Sequence, residues 1–560
     1  MANIKELNER FIKLDSLFQE YGLNDLGASL SDYVLPDRGR FTGNNSPKDR
    51  NRFETNSRKY VIDDVSEQAA NMLVGGFMSM LTPQTSPWFR LGPSNPELSK
   101  VKAVKVWFDD VTKFMLRTFA EVDLYSTLQS TYLEFIGFGT GAQMLESDEL
   151  DIIRPVSFTF GEYRIETNGK GIVDTWAYQC YMYPHEMETR FGAEGMSDQA
   201  KRALKKGDKT LFKVRWMVEP NDGRAGFKGA DGRPFVSYYW EADSAGHKKT
   251  VLEVKGFDEF PLQTPRWSTI ANDTYGKECP GQKQLANTKM LQSMCEDYVV
   301  AVKRMGDPPM VSDGSHNFIN TLPAGITTAP NSTGGSIGVR PMFERDPNIE
   351  AILSGISYWR DIISKGFFNE LLLVISGAGN DRKTATEIIA RNEEKYGFLG
   401  HILNRVFKEL LEPIIRRTFN NAADQGYFDP DGEFPLPEEL LDQDYDIAFT
   451  SLLAQAQEAI TLNQLDRFLE RMGAVAQFFP DALDRVDDDM IVQMYGKTVP
   501  ARALRSDDEY NEIKQAKADA AAQAAQMEAM TVAAGAMKDM SASSTEEGTV
   551  LSEVAAEEGG

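Results

Sequence analysis

The sequence predicts an α+β fold that is mainly α-helical, and three observations carry the prediction. Apolar residues recur at helical spacing through roughly the first 145 residues and again beyond about residue 280. Between about Ile152 and Pro265 the period shortens to β-prone runs divided by glycine-containing turns. The composition is that of a globular protein, 41% hydrophobic and 26% charged over 560 residues with a mean hydropathy of −0.39. That length suggests about three to four structural units.

The N-terminus, MANIKELNERFIKLDSLFQEYG, alternates charged and apolar residues at helical spacing and lacks the apolar core of a secretory signal. Turn breaks follow at Pro36–Gly43 and around Pro83–Pro96. Val65–Leu81 reads as an apolar helix whose Gly75-Gly76 pair permits close packing or a bend. A second long helix is expected over about Ala103–Glu134, with Val106, Phe114, Leu116, Phe119, Leu124 and Leu128 on one stripe. Strands are expected at Phe158–Phe160, Tyr163–Ile165, Ile172–Met182, Leu211–Val218, Phe235–Trp240 and Val251–Val254, as an antiparallel insertion. Pro280-Gly281 opens another helix, with Leu291, Met294, Cys295, Tyr298 and Val302 on its apolar stripe, and Gly306-Asp307-Pro308-Pro309 stops it. Residues 306–346 have no helical period and form a loop and strand excursion, after which Ile352–Ile375 is a mostly apolar helix.

The polar loop SGAGNDRK, Ser376–Lys383, separates that helix from the next one. Thr384 and Glu387 have capping-box spacing, so a helix begins there. Ile388, Leu399, Ile402, Leu403, Val406, Leu410, Ile414 and Ile415 keep one face apolar over roughly 35 residues, about 50 Å of helix. Gly397, Gly400 and Pro413 make it a kinked rod. On local pattern alone the favoured reading is an ordinary helix–loop–helix hairpin inside a globular domain. A proline- and acid-rich linker, Pro435–Asp446, precedes another helical region over about Leu452–Met494. Ser506 and Glu509 form a second capping box before the Ala-rich AKADAAAQAAQMEAM, and the acidic end SASSTEEGTVLSEVAAEEGG is expected to be disordered.

Charge and motifs narrow the function classes. Asp plus Glu is 84 against 60 Lys plus Arg, a formal net charge of −24, the wrong sign for adhesion to nucleic acid by counterion release. Cys180, Cys279 and Cys295 are too few for a disulfide framework, and an odd number leaves at least one free, which suits synthesis in a reducing cytoplasm. No apolar run is long enough to span a bilayer. Gly496-Lys497-Thr498 lacks the first glycine of a P-loop, His185-Glu186 lacks the second zincin histidine, and Asp429-Pro-Asp431-Gly432 has its glycine misplaced for an EF-hand. His185, His247, His316 and His401 are scattered, and no CxxC or GxSxG occurs. Asp484, Asp487, Asp488 and Asp489 form either a solvated helix-terminal charge run or a divalent-cation site for nuclease chemistry. No cofactor is expected.

Seven segments in one order give the chain a family resemblance: Tyr33–Phe41 (YVLPDRGRF), Ala69–Leu91 (AANMLVGGFMSMLTPQTSPWFRL), Phe135–Ala142 (FIGFGTGA), Phe260–Trp267 (FPLQTPRW), Tyr275–Ala286 (YGKECPGQKQLA), Thr384–Ile388 (TATEI) and Leu410–Ile415 (LLEPII). Together they resemble the portal, or head-to-tail connector, proteins of short-tailed, podovirus-type bacteriophages. The pattern departs from the family after Val173-Asp174-Thr175, where this chain continues into AYQCYMYPHEM, and in the acidic tail.

The resemblance implies a structural, non-enzymatic protein with wing, stem, clip and crown regions, assembled as a ring commonly of twelve copies around a channel for double-stranded DNA. It places the wing at 1–280, stem helices at 281–305 and 347–375, the clip at 306–346, a tunnel loop at 376–383, a long wing helix and linker at 384–446, the crown at 447–540 and a tail at 541–560. Ser376, Gly377, Gly379, Asn380, Asp381, Arg382 and Lys383 would face DNA, with Thr384 and Glu387 capping the helix behind them. Asp307, Asp313, His316, Asn317, Asn331 and Arg340 of the clip would meet the terminase large subunit during packaging and a tail adaptor afterwards. The remaining implied partners are the major capsid and scaffolding proteins, with the ring at the portal vertex of the virion and no membrane. A non-portal acidic scaffold or tail adaptor, or a nuclease built on Asp487–Asp489, are the alternatives.

Overall fold

A computed structural model describes residues 4–40, 58–98, 101–148, 150–221, 232–242, 251–270, 273–306, 310–312, 339–341, 348–369, 400–441, 443–450, 465, 468–472 and 507–554. They fall into two compact units, one of Met1–Trp88, Lys113–Glu433 and Phe449–Gln457, the other of Phe89–Thr112, Phe434–Ala448 and Glu458–Gly560.

The first unit opens with α1 (Ile4–Glu20) and α2 (Leu23–Tyr33). Ile4, Leu7, Phe11, Leu14 and Phe18 recur at three- and four-residue steps, and all five are buried. The first four cover one face of a five-stranded antiparallel meander: β4 (Tyr163–Thr167), β5 (Val173–Met182), β6 (Phe212–Pro220), β7 (Phe235–Glu241) and β8 (Val251–Phe257). Ala177, Met217, Val236, Tyr238 and Trp240 point at α1, and Arg215 and Trp240 both donate to Asn8 Oδ1, at 2.6 and 2.9 Å. Strand alternation sends Trp176, Tyr178 and Trp216 to the opposite face, where Phe158 packs among them. The expected strands are present, with one shift. Residues Ile152–Phe158 form β3, paired with β2 (Ala142–Asp148), while Thr159 and Phe160 turn away before Gly161, whose φ is +96°. A third strand, β9 (Leu262–Gln263), completes the sheet β3-β2-β9.

The helical layer contains α3 (Val65–Leu81), with the bounds read from sequence, and α5 (Leu124–Phe138); α4 (Lys102–Glu121), which precedes α5 in the chain, is divided between the two units after Thr112. The single helix expected over Ala103–Glu134 is therefore two. The chain breaks at Asp123, which adopts φ +54° and accepts the Ser126 hydroxyl at 2.7 Å, a left-handed turn that Asp tolerates better than most residues. Short helices α6 (Pro184–Phe191) and α7 (Asp198–Lys206) lie between β5 and β6. Glu186, part of the sequence that resembled half a zincin motif, accepts the Tyr183 N–H at 2.9 Å and caps α6.

Two long helices follow, α8 (Pro280–Gly306) and α9 (Ile349–Gly366). The helix expected to continue to Ile375 ends at Gly366 because Phe367 is fully buried and Phe368 turns the chain at φ +59°. Between the helices, β10 (Met310–Ser312) and β11 (Val339–Pro341) pair antiparallel with Val311 opposite Arg340. Residues 400–406 are helical and continue through a π-helical turn, Phe407–Leu411, into α10 (Glu412–Asp424). Pro413 has no N–H to offer the carbonyl four residues back, and the π-turn lies immediately before it, where the helical ladder is broken.

In the second unit β1 (Phe89–Pro93) pairs with β12 (Tyr445–Phe449), so the end of the acid-rich segment read as a linker is a strand. Ser94 Oγ donates to Asp446 Oδ1 at 2.9 Å, and Trp107 Nε1 to the Phe434 carbonyl at 3.2 Å. Its last helix, α11 (Asp507–Val554), has 48 residues and is about 70 Å long. It runs well into the tail expected to be disordered, since extending an existing Ala-rich helix adds a hydrogen bond per residue without a new nucleation cost. Side chains from 514 to 536 on α11 are exposed, including Met527, Met530 and Val532.

Phe77 on α3 joins the helical layer to the chain beyond the sheets, with Trp267 stacked at 6.3 Å and Tyr132 edge-on at 5.8 Å. Phe77→Ala is expected to lower unfolding stability by about 3–5 kcal/mol, measured by chemical denaturation.

Candidate functional site

The quoted segments meet where α8 is rooted. Gly139 ends α5 at φ +89°, its N–H bonded to the Phe135 carbonyl. A Cβ on Gly139 would lie 2.6 Å from the Gly276 carbonyl oxygen, and one on Gly276 or Gly281 would overlap the carbonyl of Gly139 or Gly137. Main chain therefore touches main chain, an approach only glycine permits. The contact is then locked. Trp267 N–H donates to Gly139 O at 2.9 Å, Gly276 N–H to Thr140 Oγ1 at 2.9 Å, and Gln282 Nε2 to Phe138 O at 3.0 Å. Cys279 donates its thiol to Gly137 O at 3.4 Å, and burial pushes that thiol up to about 12, so it stays protonated. Leu35 presses on Gly137 from the other side.

From this root α8 and α9 run antiparallel, Gly366 against Gln284 and Gly355 against Met294. The segment before α3 straps the pair. Gln292 on α8 accepts the Ile62 and Asp63 N–H groups at 2.7 and 3.0 Å and donates to Asp63 O at 2.6 Å. Asp63, itself buried, accepts Arg360 Nε of α9 at 2.7 Å. Ser66 and Thr288 share a further bond at 2.8 Å.

Arg266 carries the junction to the helix with the π-turn. Its guanidinium donates to Glu409 Oε1 at 2.7 Å and to the Gly171 carbonyl at 2.8 Å, while its N–H donates to Glu409 Oε2 at 2.9 Å. Arg405 joins the same carboxylate at 3.3 Å. Glu409 lies inside the π-helical turn, so that turn is held by a charge-assisted pair whose arginine is only 4% exposed.

Glu134 of α5 is another buried ionisable group. It accepts Thr159 Oγ1 at 2.8 Å and Phe160 N–H at 3.0 Å, with Arg38 at 3.7 Å. Gly39 N–H reaches Thr159 Oγ1 at 2.8 Å, so the carboxyl ties the 36–40 segment to the end of β3. Desolvation raises it to about 7, and the Phe160 N–H, Arg38 and Thr159 offset only part of that penalty.

The residues singled out from sequence lie elsewhere. Ser376, Gly377, Gly379, Asn380, Asp381, Arg382, Lys383, Thr384 and Glu387 lie outside the described residues, as do Asp307, Asp313, His316, Asn317 and Asn331. Arg340 is placed by its backbone in the β10–β11 ladder. Asp484 and Asp487–Asp489 also lie outside. Gln292, Glu134, Arg266 and Glu409 escaped the sequence reading because no spacing rule marks partners this far off: 25 to 96 residues for Glu134 and more than 100 for the main partners of the other three. All three cysteines are free thiols. Among the described residues no helix is long and apolar enough to cross a membrane.

Two measurements probe the junction. Gly→Ala inside a helix ordinarily stabilises by about 1 kcal/mol, but Gly281→Ala is expected to destabilise by about 3 kcal/mol through its clash with Gly137 O. Gly169→Ala, whose Cβ meets nothing within 4 Å, is the neutral control in thermal unfolding. For Glu134 the folded state holds its proton up to about pH 7 and the unfolded state only to about 4.5. Its contribution is therefore full below the lower value and falls as pH rises through that window, by about 3 kcal/mol at most. Glu134→Gln is expected to flatten this part of the stability-versus-pH curve.

Comparison with known proteins gives the junction its setting. A family model described as bacteriophage head to tail connecting protein matches residues 4–503. The portal protein of Salmonella phage epsilon15 is 30% identical over 534 residues, 94% of this chain and 93% of its own length. The probable portal protein of Bordetella phage BPP-1 is 32% identical over 474 residues, 83% of this chain and 82% of its own. The family match takes in every residue of the junction, from Leu35 to Glu409, and this chain belongs to the bacteriophage head to tail connecting protein family.

Proposed function

We propose that this structural portal protein works as a ring, of twelve copies as is common in the family, at one capsid vertex. Double-stranded DNA passes through its channel, driven inward by the terminase large subunit and later released outward, and the tail attaches through an adaptor. The observation that carries the reading is the family match over residues 4–503, within which an antiparallel helix pair, α8 and α9, is rooted at one end and leads to the β10–β11 hairpin at the other. On this reading α8 and α9 are the stem and residues 306–346 the clip, with Asp307, Asp313, His316, Asn317, Asn331 and Arg340 available to terminase and adaptor. Major capsid and scaffolding proteins surround the wing, and α11 belongs to the crown.

Charge supports the conduit. Each copy adds −24, so a ring repels DNA overall and does not hold it against release. Arg382 and Lys383 of the tunnel loop supply brief phosphate contacts without base readout, and Asp381 limits them.

Face-on negative-stain images of the purified full-length chain are expected to show rings with an open channel. A monomer that cleaves DNA with Mg²⁺ would overturn the reading. In phage carrying Arg382→Ala with Lys383→Ala, rings still form and packaged-DNA yield or retention falls several-fold; unchanged yield and retention would remove the loop from DNA contact.

A further inference from the structure

The densest run of cations in the chain lies within residues 1–280, the proposed wing, and is not among the loop and clip residues named above. Residues 201–209 read KRALKKGDK, five cations in nine positions of a chain whose net charge is −24. They occupy α7 and the turn after it.

The helix is fastened to the sheet, which fixes the direction of its charged face. Ser197 Oγ caps it by accepting the Ala200 N–H at 3.2 Å, and Ser197 N–H donates to Glu241 Oε1 on β7 at 2.7 Å. Met196, Ala200 and Ala203 are buried. Gly195 lies so near β8 that a Cβ would stand 3.0 Å from the Leu252 carbonyl oxygen.

Arg202, Lys205, Lys206 and Lys209 are exposed on this platform, and among the described residues none of the four has an acidic partner. Lys201 differs, since it donates to the Glu194 carbonyl at 3.1 Å. The helix dipole accounts for Lys205 and Lys206, which sit in the last turn. It does not account for Arg202, a turn earlier, or Lys209, beyond Gly207. Arg202 also stands three and four residues from Lys205 and Lys206, the spacings at which like charges repel along a helix. The patch is self-repelling, and among the described residues no ion pair neutralises it.

We propose that α7 is a docking surface for an acid-rich polypeptide segment of a partner protein, whose carboxylates pair with Arg202, Lys205, Lys206 and Lys209. Its size favours a polypeptide over duplex DNA. Nine residues give a helix of about 13 Å, enough for two turns of a peptide with carboxylates at helical spacing. A duplex carries one charge per about 1.7 Å and would extend past the patch, beyond the roughly 8 Å over which the field of α7 is screened.

The test uses the full-length protein and two labelled probes in fluorescence anisotropy over a NaCl series. One is a peptide with the sequence of residues 429–446, which holds eight acids and no Lys or Arg; the other is a short DNA duplex. Wild type is expected to bind the peptide in a salt-sensitive way and more tightly than the duplex. The triple variant Arg202→Glu, Lys205→Glu, Lys206→Glu is expected to lose about ten-fold or more in peptide affinity. The corresponding Gln variant should lose less, and it decides the matter if circular dichroism shows the Glu variant misfolded. Equal peptide affinity in wild type and variants overturns the proposal. Tighter duplex binding that the same variants abolish also overturns it, and assigns the patch to nucleic acid.

Discussion

Backbone contact between Gly137–Gly141 and Gly276–Gly281 is the constraint on which the rest of the first unit depends. Two main chains lie where no Cβ fits, so the direction in which α8 leaves the junction is set by peptide planes rather than by adaptable side chains. Every neighbouring element takes its position from that contact. Trp267 bonds to Gly139 and stacks on Phe77, Leu35 presses on Gly137, and Gln282 bridges both strands of the junction. If α8 and α9 form the stem as proposed, such a root suits a helix pair that carries load, because a stiff base passes force on without repacking.

Buried charge does a different job from surface charge here. Arg266 with Glu409, Arg360 with Asp63 and Arg38 with Glu134 each join segments far apart in sequence. Such pairs contribute little net stability, because desolvation of the buried partner (Arg266, Asp63 or Glu134) offsets most of the attraction, while Arg360 and Arg38 stay partly exposed. Their value is geometric, since a misplaced partner leaves a buried charge alone and the alternative arrangement is strongly penalised. The surface balance of −24 is a long-range property that acts on other molecules and leaves the fold indifferent.

The junction also explains why recognisable sequence strings gave no chemistry. FIGFGTGA, YGKECPGQKQLA, FPLQTPRW and YVLPDRGRF contain glycines and aromatics because close approach and packing require them. Their functional meaning is positional. Glu409, one residue before LLEPII, shows the same thing: its side chain looks like an ordinary solvated acid in a helix until Arg266 is found against it.

Periodicity determined the element types: α3 over Val65–Leu81, the alternation through β4 to β8, α8 from Pro280 to Gly306 and the Ala-rich helix after Ser506 are all local patterns in which propensity and burial agree. The ordered strings determined the family as well. Where helices stop was decided only by tertiary structure. Asp123 splits one apolar stripe into α4 and α5, and Phe367 ends α9 although the apolar pattern runs on to Ile375, because the burial of a single side chain outweighs the small propensity to continue a helix. The partners of Glu134, Asp63, Gln292 and Arg266 were likewise a tertiary outcome. A buried polar group must be satisfied by whatever the fold brings within 3 Å or so, and sequence spacing carries no record of that neighbour.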